Sequence, residues 1–184
     1  MNIEKEIRLK VNEEEIEKIR NVSVSYKKET HLIDVTMGMY GFDSLYKTGY
    51  ICRVRSNNNE CFLEIKKYFN DNECIEKNIK VSSLKDGIDF LNLLGYEIYL
   101  ILDRYREIRK YNDLILYIDR FDDIGNYLEI EYQDSNKEEA EQFINKFNLS
   151  KELQDKYGDI LCKKLNEDFN YRENFNKKLN LYKK

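Results

Sequence analysis

Proline is absent from this chain of 184 residues, although it normally supplies about 5% of positions. Together with the wealth of Asn, Lys, Ile and Tyr, its absence reads as genomic base bias, and no function is drawn from it. Histidine occurs once, and the four cysteines, Cys52, Cys61, Cys74 and Cys162, show no CxxC spacing. That pattern argues against a zinc site, and the cysteines are read as reduced, mostly buried thiols of a cytosolic protein. No apolar run approaches the roughly 20 residues that a membrane-spanning helix needs, and no secretory signal pattern is present. A soluble, cytoplasmic protein is therefore expected. A basic excess is also lacking: the formal net charge is −4 and the pI about 5.3. A broad basic face for duplex nucleic acid is thereby disfavoured, and only a local basic cluster is left open.

What is abundant is charge of both signs. Hydrophobic residues make up 41% of the chain, near the globular norm, but charged residues reach 36%, well above the usual quarter or so. The length suits one domain with a real core and needs no disulfide or structural metal. No repeat or linker divides it, so a single domain over 1–184 is expected, with its strands and helices in 1–165 and a final helix or tail in 166–184.

The alternation from Ile3 to Val11 predicts a strand with Glu4, Glu6, Arg8 and Lys10 on one face. Asn12, followed by Ile16 and Ile19 at helical spacing, predicts a short capped helix. The segment from Ser23 to Thr36 reads as extended and leads into a loop through Gly38 and Gly41. Strands are predicted over 50–55 and 61–68 around the polar turn Ser56-Asn57-Asn58-Asn59, and over 75–81 after Asn70-Asp71-Asn72. Ser83 with Asp86 caps a helix carrying Ile88, Leu91 and Leu94, stopped by Gly95. Further strands follow over 96–111, 114–120 and 127–132. The remainder reads as helical, with Ser135 and Ser150 as caps and apolar stripes through Phe143, Ile144 and Phe147, then Leu153, Ile160, Leu161 and Leu165.

Taken alone, a strand with one charged face is the wet side of an ordinary sheet. The habit recurs, however, at Arg53/Arg55, Glu64/Lys66, Arg104/Arg106 and Glu129/Glu131. Residues at i, i+2 point the same way from a strand, so these pairs form rows of both signs on one sheet face. Either that face meets bulk water, or the sheet curls into a barrel with a charged lumen and helices packed outside. The second arrangement accounts for the several amphipathic helices. It also has a chemical use, because arginine forks match phosphate oxygens and clustered carboxylates hold magnesium or manganese.

The residues that carry this pattern resemble the CYTH superfamily, which includes class IV adenylyl cyclases, thiamine triphosphatases and inorganic triphosphatases. Glu4-x-Glu6-x-Arg8-x-Lys10 resembles the ExExK signature, with Arg8 where lysine is usual. Gly49-Tyr50-Ile51-Cys52-Arg53-Val54-Arg55 and Leu63-Glu64-Ile65-Lys66 are similar to the G-x-A-L-R-x-R and L-T-x-K strands. Leu102-Asp103-Arg104-Tyr105-Arg106-Glu107 resembles V-x-K-x-R-E. Tyr117-Ile118-Asp119, continued by Gly125-Asn126-Tyr127-Leu128-Glu129-Ile130-Glu131, resembles the closing L-D-x…G-x-F-x-E-I-E segment. Tyr157-Gly158-Asp159-Ile160-Leu161 is similar to Y-x-D-L-L. The first five of these, in order over residues 3–132, are specific where one would be weak.

The resemblance implies an α+β fold: an antiparallel eight-stranded β-barrel, the triphosphate tunnel, with a charged lumen and helices outside. It implies Arg8, Lys10, Arg53, Arg55, Lys66, Arg104 and Arg106 as triphosphate contacts. Glu4, Glu6, Glu129 and Glu131 become metal ligands for Mg2+ or Mn2+, and Glu4, Glu6, Asp119 and Glu129 the catalytic set. Glu64, Glu76 and Asp34 are weaker candidates. The family usually has a second E-x-E pair where this chain reads Glu76-Lys77-Asn78-Ile79-Lys80, and the Y-Y-D-T-P element is eroded to His31-Leu32-Ile33-Asp34-Val35-Thr36, with His31 read as structural. The expected substrate is ATP, converted to cyclic AMP and pyrophosphate. The alternatives are hydrolysis of tripolyphosphate, thiamine triphosphate or a nucleoside triphosphate, and binding without turnover. Neither a nucleic acid nor a membrane is expected as partner, and the family resemblance allows a homodimer.

Overall fold

The computed structural model describes residues 4–39, 50–58, 60–69, 73–150 and 154–182. The expected loop glycine Gly41, the motif residue Gly49 and the stripe residue Leu153 lie outside them. The elements run β1 (Glu4–Val11), α1 (Glu13–Val22), β2 (Val24–Gly38), β3 (Tyr50–Asn57), β4 (Glu60–Tyr68), β5 (Glu73–Val81), α2 (Leu84–Leu93), β6 (Glu97–Tyr111), β7 (Leu114–Phe121) and β8 (Gly125–Tyr132). A 3-10 turn (Asp134–Asn136), α3 (Lys137–Lys146), α4 (Tyr157–Glu167) and α5 (Phe169–Tyr182) follow. The fold is α+β, with an antiparallel sheet ordered β1-β5-β4-β3-β2-β6-β7-β8. Strand β1 has a partner on both sides, pairing with β5 and, from Lys5 to Val11, with β8.

The chain divides into two compact units: residues 1–31, 69–75 and 104–155 form the first, and residues 32–68, 76–103 and 156–184 the second. In the first unit, period-two alternation sends Leu9, Leu116, Ile118, Leu128 and Ile130 to one face, all with no exposed surface. Helices α1 and α3 cover that face with Ile16, Ile19, Ala140, Phe143 and Ile144. This is what amphipathic helices against a half-apolar sheet are expected to do. Asn12 caps α1 as predicted: its side chain accepts from the Glu15 N–H at 3.0 Å, while Glu15 accepts from the Asn12 N–H at 2.8 Å. The β6–β7 hairpin turns at Asn112, whose φ of 48° is of the left-handed kind that asparagine tolerates.

The predicted caps Ser135 and Ser150 are corrected. Ser135 lies inside the 3-10 turn, so α3 starts from Asn136, and α4 starts from Lys156, well past Ser150. A serine ahead of an apolar stripe is a common helix start, but here the chain first turns out of β8 through Gln133, whose carbonyl accepts from the Asn136 N–H at 3.1 Å.

In the second unit, Val35 of β2 stands opposite Val54 of β3, and both are fully buried. Helix α2 packs on β3 and β4, with Ile88 and Leu91 inward. Ser83 caps it as predicted, accepting from the Asp86 N–H at 3.0 Å. Gly95, at φ 85°, ends it in the left-handed conformation, and the Tyr96 N–H closes the turn onto the Leu91 carbonyl. The last 14-residue stretch is helix α5. It packs against α4, and Arg172 donates to the Leu165 and Asn166 carbonyls at 2.7 and 3.0 Å.

Candidate active site

The face opposite the apolar one carries the charge, and each unit builds its own cluster there. In the first unit, β1 and β8 set Glu6 opposite Glu131, Arg8 opposite Glu129 and Lys10 opposite Tyr127. Strand β7 sets Asp119 opposite Arg106 of β6. Register alone therefore brings together Glu6, Arg8, Arg106, Asp119, Glu129 and Glu131, and Arg104 joins them at i−2 from Arg106.

Asp119 has no exposed surface and receives both β6 arginines. Arg106 donates its Nε at 2.6 Å and an Nη as well, and Arg104 Nε lies at 3.3 Å. The same Arg106 Nη bonds to Glu129. Arg8 bonds to Glu129 through Nε at 2.9 Å and to Glu6 through Nη2 at 3.0 Å.

Tyr117, one residue pair along β7 from Asp119, was not singled out from the sequence. Its hydroxyl donates to Glu131 at 2.6 Å, and the Arg106 guanidinium lies 4.6 Å from its ring centre. Burial and then the bond to Glu131 push its phenol well above the usual range. The signal that could have found it is the period-two spacing itself, since Tyr117 and Asp119 must share a face.

In the second unit, β2, β3 and β4 bring Asp34 opposite Arg55 and Arg53 opposite Glu64. Arg55 grips Asp34 with Nε at 2.6 Å and Nη2 at 2.9 Å, and Arg53 reaches the same carboxylate at 3.4 Å. Arg53 also bonds to Glu64 at 2.6 Å and to Glu76 at 3.5 Å, while Lys66 lies 3.9 Å from Glu76. Burial works against the Arg53 charge. Asp34, Glu64 and Glu76 outweigh it and raise the pKa above the ordinary arginine value. Asp34, Glu64 and Glu76, ranked below the rest in the sequence, thus stand among the arginines, and Asp34 and Glu64 are buried.

One device recurs in both clusters: two arginines at i, i+2 on a strand share one fully buried aspartate. Arg104 and Arg106 share Asp119, and Arg53 and Arg55 share Asp34. In both trios the arginines meet further carboxylates as well, Arg106 with Glu129 and Arg53 with Glu64 and Glu76, so the guanidiniums are held in place around a carboxylate that solvent does not reach. An oxyanion with several acceptor oxygens is the natural partner of such forks.

Not every expected residue joins a cluster. The Glu4 side chain lies outside the described residues, and Lys10 is exposed. Asn78 and Lys80, at the positions of the missing carboxylate pair, are exposed, and Lys80 pairs with Glu60 at 2.9 Å. His31 stacks on Tyr105 with ring centres 4.8 Å apart, a packing role. Among the described residues all four cysteines are free thiols, Cys52 and Cys74 buried and the other two partly so. No described helix is long and apolar enough to cross a membrane.

A divalent metal is tested by its donors. Among the described residues no group of three carboxylate, histidine or cysteine side chains stands close enough to hold an ion, because Arg8 and Arg106 occupy Glu6 and Glu129. The donor set nonetheless fits a hard cation in kind. Glu6 and Glu131 are placed directly opposite each other, a like-charge pairing that sheets ordinarily avoid. The first cluster sets four carboxylates, Glu6, Asp119, Glu129 and Glu131, against Arg8, Arg104 and Arg106.

The family model for the CYTH domain matches residues 2–160. No curated protein sequence matches the chain. Among solved structures, the PH1819 protein of Pyrococcus horikoshii aligns at TM-score 0.73 with 21% identity, over 88% of this chain and 99% of its own. A candidate adenylate cyclase from Vibrio parahaemolyticus aligns at 0.68 with 15% identity, over 88% and 98%. A candidate adenylyl cyclase from Hippeastrum, described as having a dominant triphosphatase activity, aligns at 0.60 with 13% identity, over 81% and 89%.

Proposed function

We propose, from the premise that this chain belongs to the CYTH family, that it is a metal-dependent enzyme acting on a triphosphate. The reaction assigned to it is that of a class IV adenylyl cyclase, which converts ATP to cyclic AMP and pyrophosphate. The observation that carries the triphosphate reading is the repeated trio of two arginines on one buried aspartate, at Asp119 and at Asp34. The cyclase assignment is supported by the likeness of the fold to the Vibrio candidate cyclase along nearly all of that protein.

In this reading Arg104 and Arg106, and separately Arg53, Arg55 and Lys66, bind phosphate oxygens. Their forks are already oriented, so little ordering remains to be done when the substrate arrives. The 3′-hydroxyl oxygen attacks the α-phosphorus as its proton passes to water, the bond to the bridging oxygen breaks, and pyrophosphate leaves. Arg106, reaching both Asp119 and Glu129, is the group assigned to the charge that builds on the leaving oxygens. Asp119 orients the two arginines. Glu6, Glu129 and Glu131 are the residues that would hold Mg2+ or Mn2+, with Glu4 beside them in sequence pattern. When bound, the cation supplies charge neutralisation at the phosphate oxygens and a lowered hydroxyl pKa.

A second reading, triphosphatase, is favoured by the Hippeastrum neighbour. The same forks would hold tripolyphosphate, thiamine triphosphate or a nucleoside triphosphate while water attacks the terminal phosphorus. One experiment separates the readings: incubation with ATP and with tripolyphosphate, with Mg2+ and Mn2+ in turn, and identification of every product. Cyclic AMP with pyrophosphate supports the cyclase, and orthophosphate transfers the assignment to the triphosphatase. Tight binding without turnover leaves a binding module, and absence of both binding and turnover overturns the triphosphate reading itself.

A further inference from the structure

We propose that Arg8 is a positioning residue and not a phosphate ligand: its guanidinium fixes Glu6 and Glu129 and ties them to the main chain at Asp155, beside Gln154, whose N–H is held by the Arg8 carbonyl. The inference rests on the reading of Glu6 and Glu129 as metal-facing carboxylates, and it removes Arg8 from the triphosphate contacts that the family resemblance implies.

A guanidinium has five N–H donors in one plane. Arg8 commits Nε to Glu129 at 2.9 Å, Nη2 to Glu129 and to Glu6 at 3.0 Å, and Nη1 to the Asp155 carbonyl at 3.1 Å. The side chain is 9% exposed, and it bonds a main-chain carbonyl in addition to two carboxylates. The backbone of the same residue is engaged too, since the Arg8 carbonyl accepts from the Gln154 N–H at 3.0 Å. Residue 8 is thus clamped at both its main chain and its side chain by the two residues that lead into α4.

The sequence explains why the residue is arginine. The signature that β1 resembles has lysine here, and an ammonium is a compact point donor that cannot lie in plane between two carboxylates and a carbonyl. Arginine at this position exchanges a phosphate-binding point charge for a brace. Glu6 and Glu129 come from two adjacent strands, and Arg8 bonds to both. The brace therefore sets the spacing of two carboxylates on which a cation would depend.

The test uses the full chain and the conservative variant Arg8→Lys, with Arg106→Ala as the comparison. Tripolyphosphate binding is measured calorimetrically in EDTA, Mn2+ binding by the loss of its free-ion resonance, and Gln154 by amide hydrogen exchange. In Arg8→Lys, metal-free tripolyphosphate affinity should stay within about twofold of wild type, because the charge is kept. Mn2+ affinity should fall about tenfold, as for loss of an outer-shell partner of a metal ligand, and exchange at Gln154 should quicken. A tripolyphosphate loss in Arg8→Lys as large as that in Arg106→Ala overturns the proposal, and so does unchanged exchange at Gln154. If wild type binds no tripolyphosphate, the functional reading fails, while the exchange at Gln154 still decides the brace on its own.

Discussion

Arg55 holds Asp34 by a two-point contact, Nε to Oδ1 at 2.6 Å and Nη2 to Oδ2 at 2.9 Å, on a carboxylate with no exposed surface. A pair of this kind is costly to break, because removing one partner strands the other's charge away from water. Asp34→Asn keeps the volume and removes the charge that Arg53 and Arg55 share. The expected result is a loss of about 3 kcal/mol in urea unfolding at pH 7. A variant as stable as wild type would show that Glu64 and Glu76 suffice to hold the arginines.

Arg106 occupies the corresponding place in the first unit, with Asp119 and Glu129 on its fork and the Tyr117 ring beneath it. Arg106→Ala should weaken tripolyphosphate binding about 10- to 100-fold, the loss of a charge-assisted phosphate contact and of the group that spans Asp119 and Glu129. Arg106→Lys should recover only part of it, since the ammonium keeps the charge without the fork. Titration calorimetry on both variants checks this, and equal affinity in wild type and Arg106→Ala would remove the residue from the site.

The strands and most caps were legible in the sequence because alternation and capping are local properties. Asn12, Ser83 and Gly95 play the roles that their neighbours in sequence dictate. Which face a charged pair occupies is not local. Glu107 and Arg109 have the same i, i+2 spacing as Arg104 and Arg106, yet they sit on the other side of β6. There Arg109 donates to Ser23 Oγ at 2.7 Å and to the carbonyls of Arg20 and Ser23. Period two tells which residues share a face but not which face a helix will cover. Asp34 was undervalued for the converse reason. It stands alone among Leu32, Ile33 and Val35, with no second charge two residues away, and only its register against Arg55 discloses its partner. A lone carboxylate inside an apolar run is itself the signal, because an unpaired charge there would be too costly to bury.

Helix α2 rests on β3 at a point where there is no room for a side chain. A Cβ on Gly87 would lie 2.6 Å from Val54 Cγ1 and 3.1 Å from its Cγ2. Alanine in a helix interior is ordinarily favoured over glycine by about 1 kcal/mol. Here overpacking against a fully buried, β-branched neighbour should reverse the sign, leaving Gly87→Ala destabilised by about 1–2 kcal/mol. The double variant Gly87→Ala/Val54→Ala should show favourable coupling in a thermodynamic cycle, since the second change removes the methyls that the first one meets. Strictly additive costs would mean that the helix shifts instead.

Glu107 makes the fold's stability depend on pH in a defined direction. Burial alone would raise its pKa, but hydrogen bonds from Arg20 and Arg109 outweigh that and leave it below its ordinary value of 4.5. Arg20 supplies Nε at 3.0 Å and Nη2 at 2.7 Å, linking the end of α1 to β6. A carboxylate with a depressed folded pKa contributes stability that is fully present above its unfolded pKa and lost as pH falls through the folded one. Glu107→Gln should therefore be less stable than wild type at pH 7. The gap should close progressively as pH drops below 4.5, because wild type loses the same interaction by protonation. Urea midpoints of both proteins between neutral and strongly acid pH decide the matter: a gap that stays constant through the acid range would mean that the carboxylate's charge contributes nothing and that only its shape is used.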